Sequence, residues 1–114
     1  MPFNGTEGKP ISLGTAKQWT KNWQGKNPPS EQTPKAIFFG KDNIQALLNE
    51  EGSMGIRIYY AQDDNGNNHL VLVAAKENEG NILPDGDELE SGGGTIIDDG
   101  KKCPPDCPPT EEEL

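Results

Sequence analysis

Two apolar runs, GIRIYYA (55–61) and HLVLVAA (69–75), flank the polar stretch QDDNGNN, and no other part of the chain constrains the fold as strongly. β-Branched and aromatic side chains favour extended backbone, and Asn-Gly between two such runs is a strong hairpin signal. A two-residue turn at Asn65-Gly66 predicts that Ile56, Ile58 and Tyr60 face Ala75, Val73 and Val71. Arg57, Tyr59 and Ala61 then face Ala74, Leu72 and Leu70. A longer loop between the same strands is the alternative. The second run is apolar on both faces, which places it centrally in its sheet.

Other elements follow from periodicity and breakers. SLGTAKQWTKNWQ (12–24) predicts a helix capped by Ser12. Its apolar arc carries Leu13, Ala16, Trp19 and Trp23, Lys17 and Lys21 flank that arc, and Gly25 is the expected stop. Residues 25–34 are too rich in Gly and Pro for helix or central strand. KAIFF (35–39) reads as a short strand that joins the hairpin's sheet, in parallel or antiparallel sense. KDNIQALLNEEG (41–52) predicts a second helix, with Asp42 and Gln45 at capping-box spacing, a buried stripe of Ile44, Leu47 and Leu48, and Gly52 as its end. Residues 76–94 read as an acidic, Gly-rich loop anchored by Ile82-Leu83, and TIID (95–98) as a last strand. The fold class expected is α+β: a small three- to four-stranded, mainly antiparallel sheet with two helices packed on one face. The organisation expected is a loose lead-in over 1–11, one domain over 12–98 and a Cys/Pro-rich acidic tail over 99–114.

Charge is distributed unevenly. Of 19 acidic and 10 basic side chains, most of the acids lie after Lys76, and the net charge is -9. An acidic surface opposes counterion release from phosphates, so nucleic acid is excluded as a partner. No stretch is apolar enough to span a bilayer, and the N-terminus has no basic-then-apolar leader. The expectation is a cytoplasmic protein that does not enter a membrane.

The tail CPPDCPPTEEEL (103–114) carries the densest chemistry. As a metal site, Cys103 and Cys107 would need His69 and an acid to complete four ligands, and the second cysteine pair of a structural zinc site is missing. A redox Cys-x-x-Cys reading fails on spacing. A Cys103–Cys107 disulfide needs the segment to turn, because four extended polyproline steps of ~3.1 Å each would hold the Cα atoms about 12 Å apart. A turn from Pro104 to Cys107 with Pro105-Asp106 at its centre satisfies this. The reduced pair on a stiff spacer is the competing reading. If the acidic end is held down, Lys17, Lys21 and Lys26 are its expected contacts.

Other constellations are weaker. Asp63, Asn65 and Asn67 alternate like the start of a calcium loop, but the required Gly and Glu fall on Asn68 and Ala74. His69 is the only histidine and reads as an exposed strand-end residue beside Asp64, with no nucleophile context. Trp19 and Trp23 are a binding hot spot if exposed and a core stripe if buried; burial is expected in a domain with 31% hydrophobic residues.

GIRIYYA, HLVLVAA and the closing DDGKKCPPDCP together resemble an uncharacterised family of small bacterial proteins ending in a CPPxCP motif. That resemblance implies a compact single domain and brings no activity, cofactor or catalytic residue. The function expected is a non-enzymatic binding or accessory protein with an unknown protein partner and no metal or cofactor. Its interaction candidates are Trp19, Trp23, Lys17 and Lys21 on the first helix and Asp106, Glu111, Glu112 and Glu113 on the tail, with the tail, the acidic arm or the hairpin-end loops as the partner surface. The alternative is a small enzyme or ligand-binding domain with carboxylates at 63–69 and 85–90.

Overall fold

A computed structural model describes residues 2–86, 90–91 and 94–114. The order is α1 (Leu13–Lys26), β1 (Ala36–Phe38), α2 (Lys41–Leu48), β2 (Ser53–Gln62), β3 (Asn68–Lys76), β4 (Glu90–Ser91), β5 (Gly94–Ile97), β6 (Lys101–Cys103) and a 3₁₀ turn at Thr110–Glu112. The α+β class holds. Four strands form one antiparallel sheet in the order β2-β3-β5-β4, with the apolar β3 inside it, and β1 and β6 form a second sheet of two strands. No helix among the described residues is long and apolar enough to cross a membrane.

The hairpin strands stand where expected, but their register differs by one residue. Ile58 pairs with Leu72 and Arg57 with Val73, so Ile58 and Val73 lie on opposite faces. The cause is the loop. Gly66 N–H donates to the Asp63 carbonyl (3.1 Å) and Asp63 N–H to the Asn67 carbonyl (2.9 Å). That is a three-residue loop with Gly66 in the left-handed region at φ 84°. The Asp63 carboxylate fastens it by accepting from the backbone N–H groups of Asn65 (2.9 Å) and Asn67 (3.0 Å). Asp at the first position and Gly at the fourth are what a type I turn favours, so the calcium-like alternation serves a turn.

The core lies between α2 and one sheet face. Leu47, Leu72 and Ala74 are buried together, with Phe39, Ile56, Leu70, Ile82 and Ile97 packed around them. Leu48, expected in the buried stripe, is exposed. Gly40 caps α2 without a side-chain bond, so the Asp42–Gln45 capping box does not form; Gln45 instead donates to Asn49 Oδ1 at 3.0 Å. The helix closes at Asn49, ahead of Gly52. On the other sheet face, Val73 is buried. Its cross-strand partner Arg57 donates to the Glu79 carbonyl and to Asn81 Oδ1, and the Phe3 ring lies 5.2 Å from the guanidinium carbon. Phe3 N–H also donates to the Glu77 carbonyl at 2.8 Å, so the lead-in docks.

Four further expectations are corrected. Ser12 caps α1 through Thr15 N–H, but the helix runs through Gly25 to Lys26 and buries no residue. Trp19 is 60% exposed and Trp23 43%. The sheet face they were expected to cover is already filled by α2, Phe39, Ile82 and Ile97. β1 does not join the hairpin's sheet in either sense; it pairs with β6, Ala36 opposite Cys103 and Phe38 opposite Lys101. The fold therefore continues past residue 98, and the segment read as tail supplies a strand. Within the acidic loop, Ile82 joins the core as expected, Leu83 is exposed, and β4 pairs with β5.

Candidate functional site

Between the two sheets lies a groove of about 630 Å³. Residues 34–37 beside β1 form one wall, residues 60–62 of β2 and 68–70 of β3 form the other, and Trp23 reaches in from α1. The 27–35 loop is tied to the hairpin tip, since Asn68 N–H donates to the Gln32 carbonyl (2.8 Å) and Gln32 Nε2 to the Asn65 carbonyl (3.2 Å). This bond pair holds the β1 wall against the β2–β3 end. Tyr60 stands on the rim and is 93% exposed.

β2 is the edge strand of the four-stranded sheet. Among the described residues, no backbone bond joins Ile56–Gln62 to any element other than β3. Arg57 is the one charged side chain in the segment, which has no Pro, and beyond it Ile58, Tyr59 and Tyr60 are exposed.

His69, at the start of β3, lines the groove and lies between two carboxylates rather than beside Asp64. Its Nε2 is 2.9 Å from Asp63 Oδ2 and its Nδ1 is 3.0 Å from Asp98 Oδ1. Strand alternation places Asp98, one residue past β5, on the sheet face of His69. A carboxylate at each nitrogen favours the doubly protonated imidazolium, in which both nitrogens donate. The bond to Asp63, then that to Asp98, raises the His69 pKa against a smaller lowering by burial and by Lys102. The bond from His69, then the N–H of Asn67, holds the Asp63 carboxyl well below its ordinary range. In that form the ring has no free lone pair with which to act as a base, and among the described residues no hydroxyl or thiol is bonded to it. It clamps the hairpin loop to β5.

The clamp has a signed pH dependence. The folded His69 pKa lies above the unfolded value near 6.5, so its contribution is complete below that pH and is lost as pH rises through the folded pKa. The Asp63 contribution is complete above the ordinary value of 3.8 and is lost only in strong acid. The thermal midpoint of the wild type is therefore expected to peak in mild acid and fall above neutrality. His69→Asn should flatten the alkaline side, and an unchanged slope in that variant would refute the clamp.

The tail forms a second cluster. Cys103 and Cys107 are joined by a disulfide with Cα atoms 4.7 Å apart. Closure differs from the expected Pro104–Cys107 turn: Asp106 N–H donates to the Lys102 carbonyl (2.7 Å) and Cys107 N–H to the Pro105 carbonyl (3.1 Å). Cys103 is buried and Cys107 is exposed. The 3₁₀ turn brings the chain back, so that Glu113 Oε1 lies 2.8 Å from Lys35 Nζ and 4.0 Å from Cys103 Sγ. Lys35, not Lys17, Lys21 or Lys26, is the cation that receives the acidic end. Asp106, Glu111 and Glu112 are exposed. His69 is not part of this cluster.

Asp85 is exposed, and residues 87–89 of the proposed carboxylate site lie outside the described residues. Glu50 has buried carboxylate oxygens, and burial raises its pKa against the lowering effect of the Thr95 backbone. No family model matches the chain, and no curated protein or solved structure matches it significantly.

Proposed function

We propose that the protein is a small non-enzymatic binding module that takes up an extended, basic segment of a partner protein in the groove beside β2. The observation that carries this reading is the free edge of β2 running into a groove flanked by Tyr60 and Trp23. An edge strand offers unpaired N–H and C=O groups to another strand, and pockets for alternate side chains supply specificity. Exposed Trp and Tyr are the side chains that most often anchor such contacts. A net charge of -9 favours a basic occupant. A carboxylate-based active site at 63–69 has less support, since Asp63 and His69 are committed to the turn and the clamp.

The probe is a ten-residue peptide alternating lysine and valine, with a glutamate–valine counterpart and a backbone N-methylated version. The lysine peptide is expected to shift and protect amides over Tyr59–Gln62, to bind at least tenfold more tightly than the glutamate peptide, and to lose binding on N-methylation. Trp23→Ala with Tyr60→Ala should weaken it by tenfold or more and leave the thermal midpoint almost in place, because Tyr60 is nearly fully exposed and Trp23 lies on a helix that buries no residue. Shifts confined to other surfaces would overturn the reading. So would a concentration-dependent dimer that protects β2 without peptide, because a second copy would then be the occupant.

A further inference from the structure

We propose that reduction of the Cys103–Cys107 disulfide converts this corner into a binding site for a thiophilic divalent cation, with zinc the expected ion and Glu113 the third protein ligand. The inference is independent of the groove. It rests on a juxtaposition that spacing alone does not reveal: one ligand atom from each of Cys103, Cys107 and Glu113 lies within 4.8 Å of the other two.

Zinc holds thiolate sulfur at about 2.3 Å and carboxylate oxygen at about 2.0 Å, so tetrahedral ligands are separated by about 3.5–3.8 Å. Cys103 Sγ and Glu113 Oε1 are already 4.0 Å apart. Once the S–S bond is opened, the two sulfurs need only side-chain rotation to reach that spacing. The backbone of one ligand is fixed independently, because Cys103 is paired in β6 and its carbonyl accepts from Lys35 N–H at 2.8 Å. Three protein ligands leave a fourth position for water, as in other sites with an open coordination position.

Charge supports the same assignment. Two thiolates and one carboxylate around a dication leave one net negative charge. The Lys35 ammonium, 2.8 Å from Glu113 Oε1, supplies the balancing positive charge. Oε1, already 4.0 Å from Cys103 Sγ, is the atom offered to the metal, and its contact with the Lys35 ammonium gives the ligating carboxylate a hydrogen-bonded support.

The chemistry balances with a dithiol reductant. The reductant gives two electrons and two protons, the S–S bond opens to two thiols, and the reductant closes its own disulfide. Metal binding then displaces the two thiol protons, so affinity rises with pH.

The test uses the full chain, reduced with a dithiol that is then removed under nitrogen, and titrated with Co²⁺ and Zn²⁺. The reduced protein is expected to bind one Co²⁺ per chain with thiolate charge-transfer absorption, and zinc should displace it. The oxidised protein should show no such band. Cys103→Ser and Cys107→Ser should each remove the band, and Glu113→Gln should weaken binding by tenfold or more. Zinc should also shield both thiols of the reduced wild type from alkylation, a readout that depends on no variant. Equal binding by oxidised and reduced protein, a band that survives Cys103→Ser, or undiminished alkylation under excess zinc would each overturn the proposal.

Discussion

Leu47→Ala is expected to remove about 2–5 kcal/mol of stability, the range for truncating a large aliphatic side chain in a core that relaxes only partly. Leu47 is 0% exposed and is the largest fully buried side chain among the described residues. It packs α2 onto Leu72 and Ala74 of β3. Stability of a domain this size is about 5–15 kcal/mol, so the loss is a large share of the whole. Leu48→Ala, on the next residue of the same helix, is the internal control. Leu48 is 44% exposed, and its truncation should have little effect. Urea unfolding followed by far-UV circular dichroism reads both: the midpoint should fall steeply for Leu47→Ala with the slope unchanged. Equal shifts in the two variants would mean that the sheet is not covered by α2 as described.

The contrast between Leu47 and Leu48 also shows what a sequence conveys. Periodicity marks both as apolar positions on one helix, and only the width of the covered sheet decides which is buried. The same limit applied at Trp19 and Trp23. Composition argued that so polar a chain needed its indoles inside, yet α2 and five partly buried side chains complete the core without them. The strands β2, β3 and β5 were legible because their apolar residues are contiguous and their covering is local. Their register was less so, since Asp-Asp-Asn-Gly satisfies either a two-residue turn at Asn-Gly or a three-residue loop with Gly last. The Asp63 carboxylate, bonded to two backbone N–H groups, selects the latter.

Long-range pairings were the least legible. β1 and β6 are three residues each, and Lys101-Lys102 gives no apolar pattern to match. Some sixty residues separate them in sequence, and with their pairing come the docking of Glu113 on Lys35 and the groove wall at 34–37. The partner of His69 was hidden for a related reason: Asp98 is 29 residues away, while Asp64 is close in sequence. Both proposed sites therefore stand on contacts that the two-stranded sheet establishes.

Gly100→Ala tests that dependence directly. A Cβ at this position would lie 2.6 Å from Ile37 Cγ2 and 2.6 Å from the Phe38 carbonyl oxygen, closer than real Cβ contacts come. One of those atoms belongs to the backbone of β1, so the methyl group cannot be accommodated by a rotamer change alone. It must part β1 from β6 next to the Phe38–Lys101 pair. Overpacking of this kind typically costs about 1–3 kcal/mol. Most of that loss should appear as local opening of the second sheet, because the Leu47 core lies on the other one. By amide hydrogen exchange, Lys35, whose N–H is bonded to the Cys103 carbonyl, should lose at least tenfold in protection. Val73, buried within the four-stranded sheet, should lose far less. Gly25→Ala is the matched control: nothing lies within 4 Å of its added Cβ, and Ala within α1 should be neutral or stabilising by about 0.5–1 kcal/mol. If Lys35 and Val73 lose protection together, the two sheets unfold as one unit; unchanged exchange at Lys35 would mean that β6 does not pair with β1.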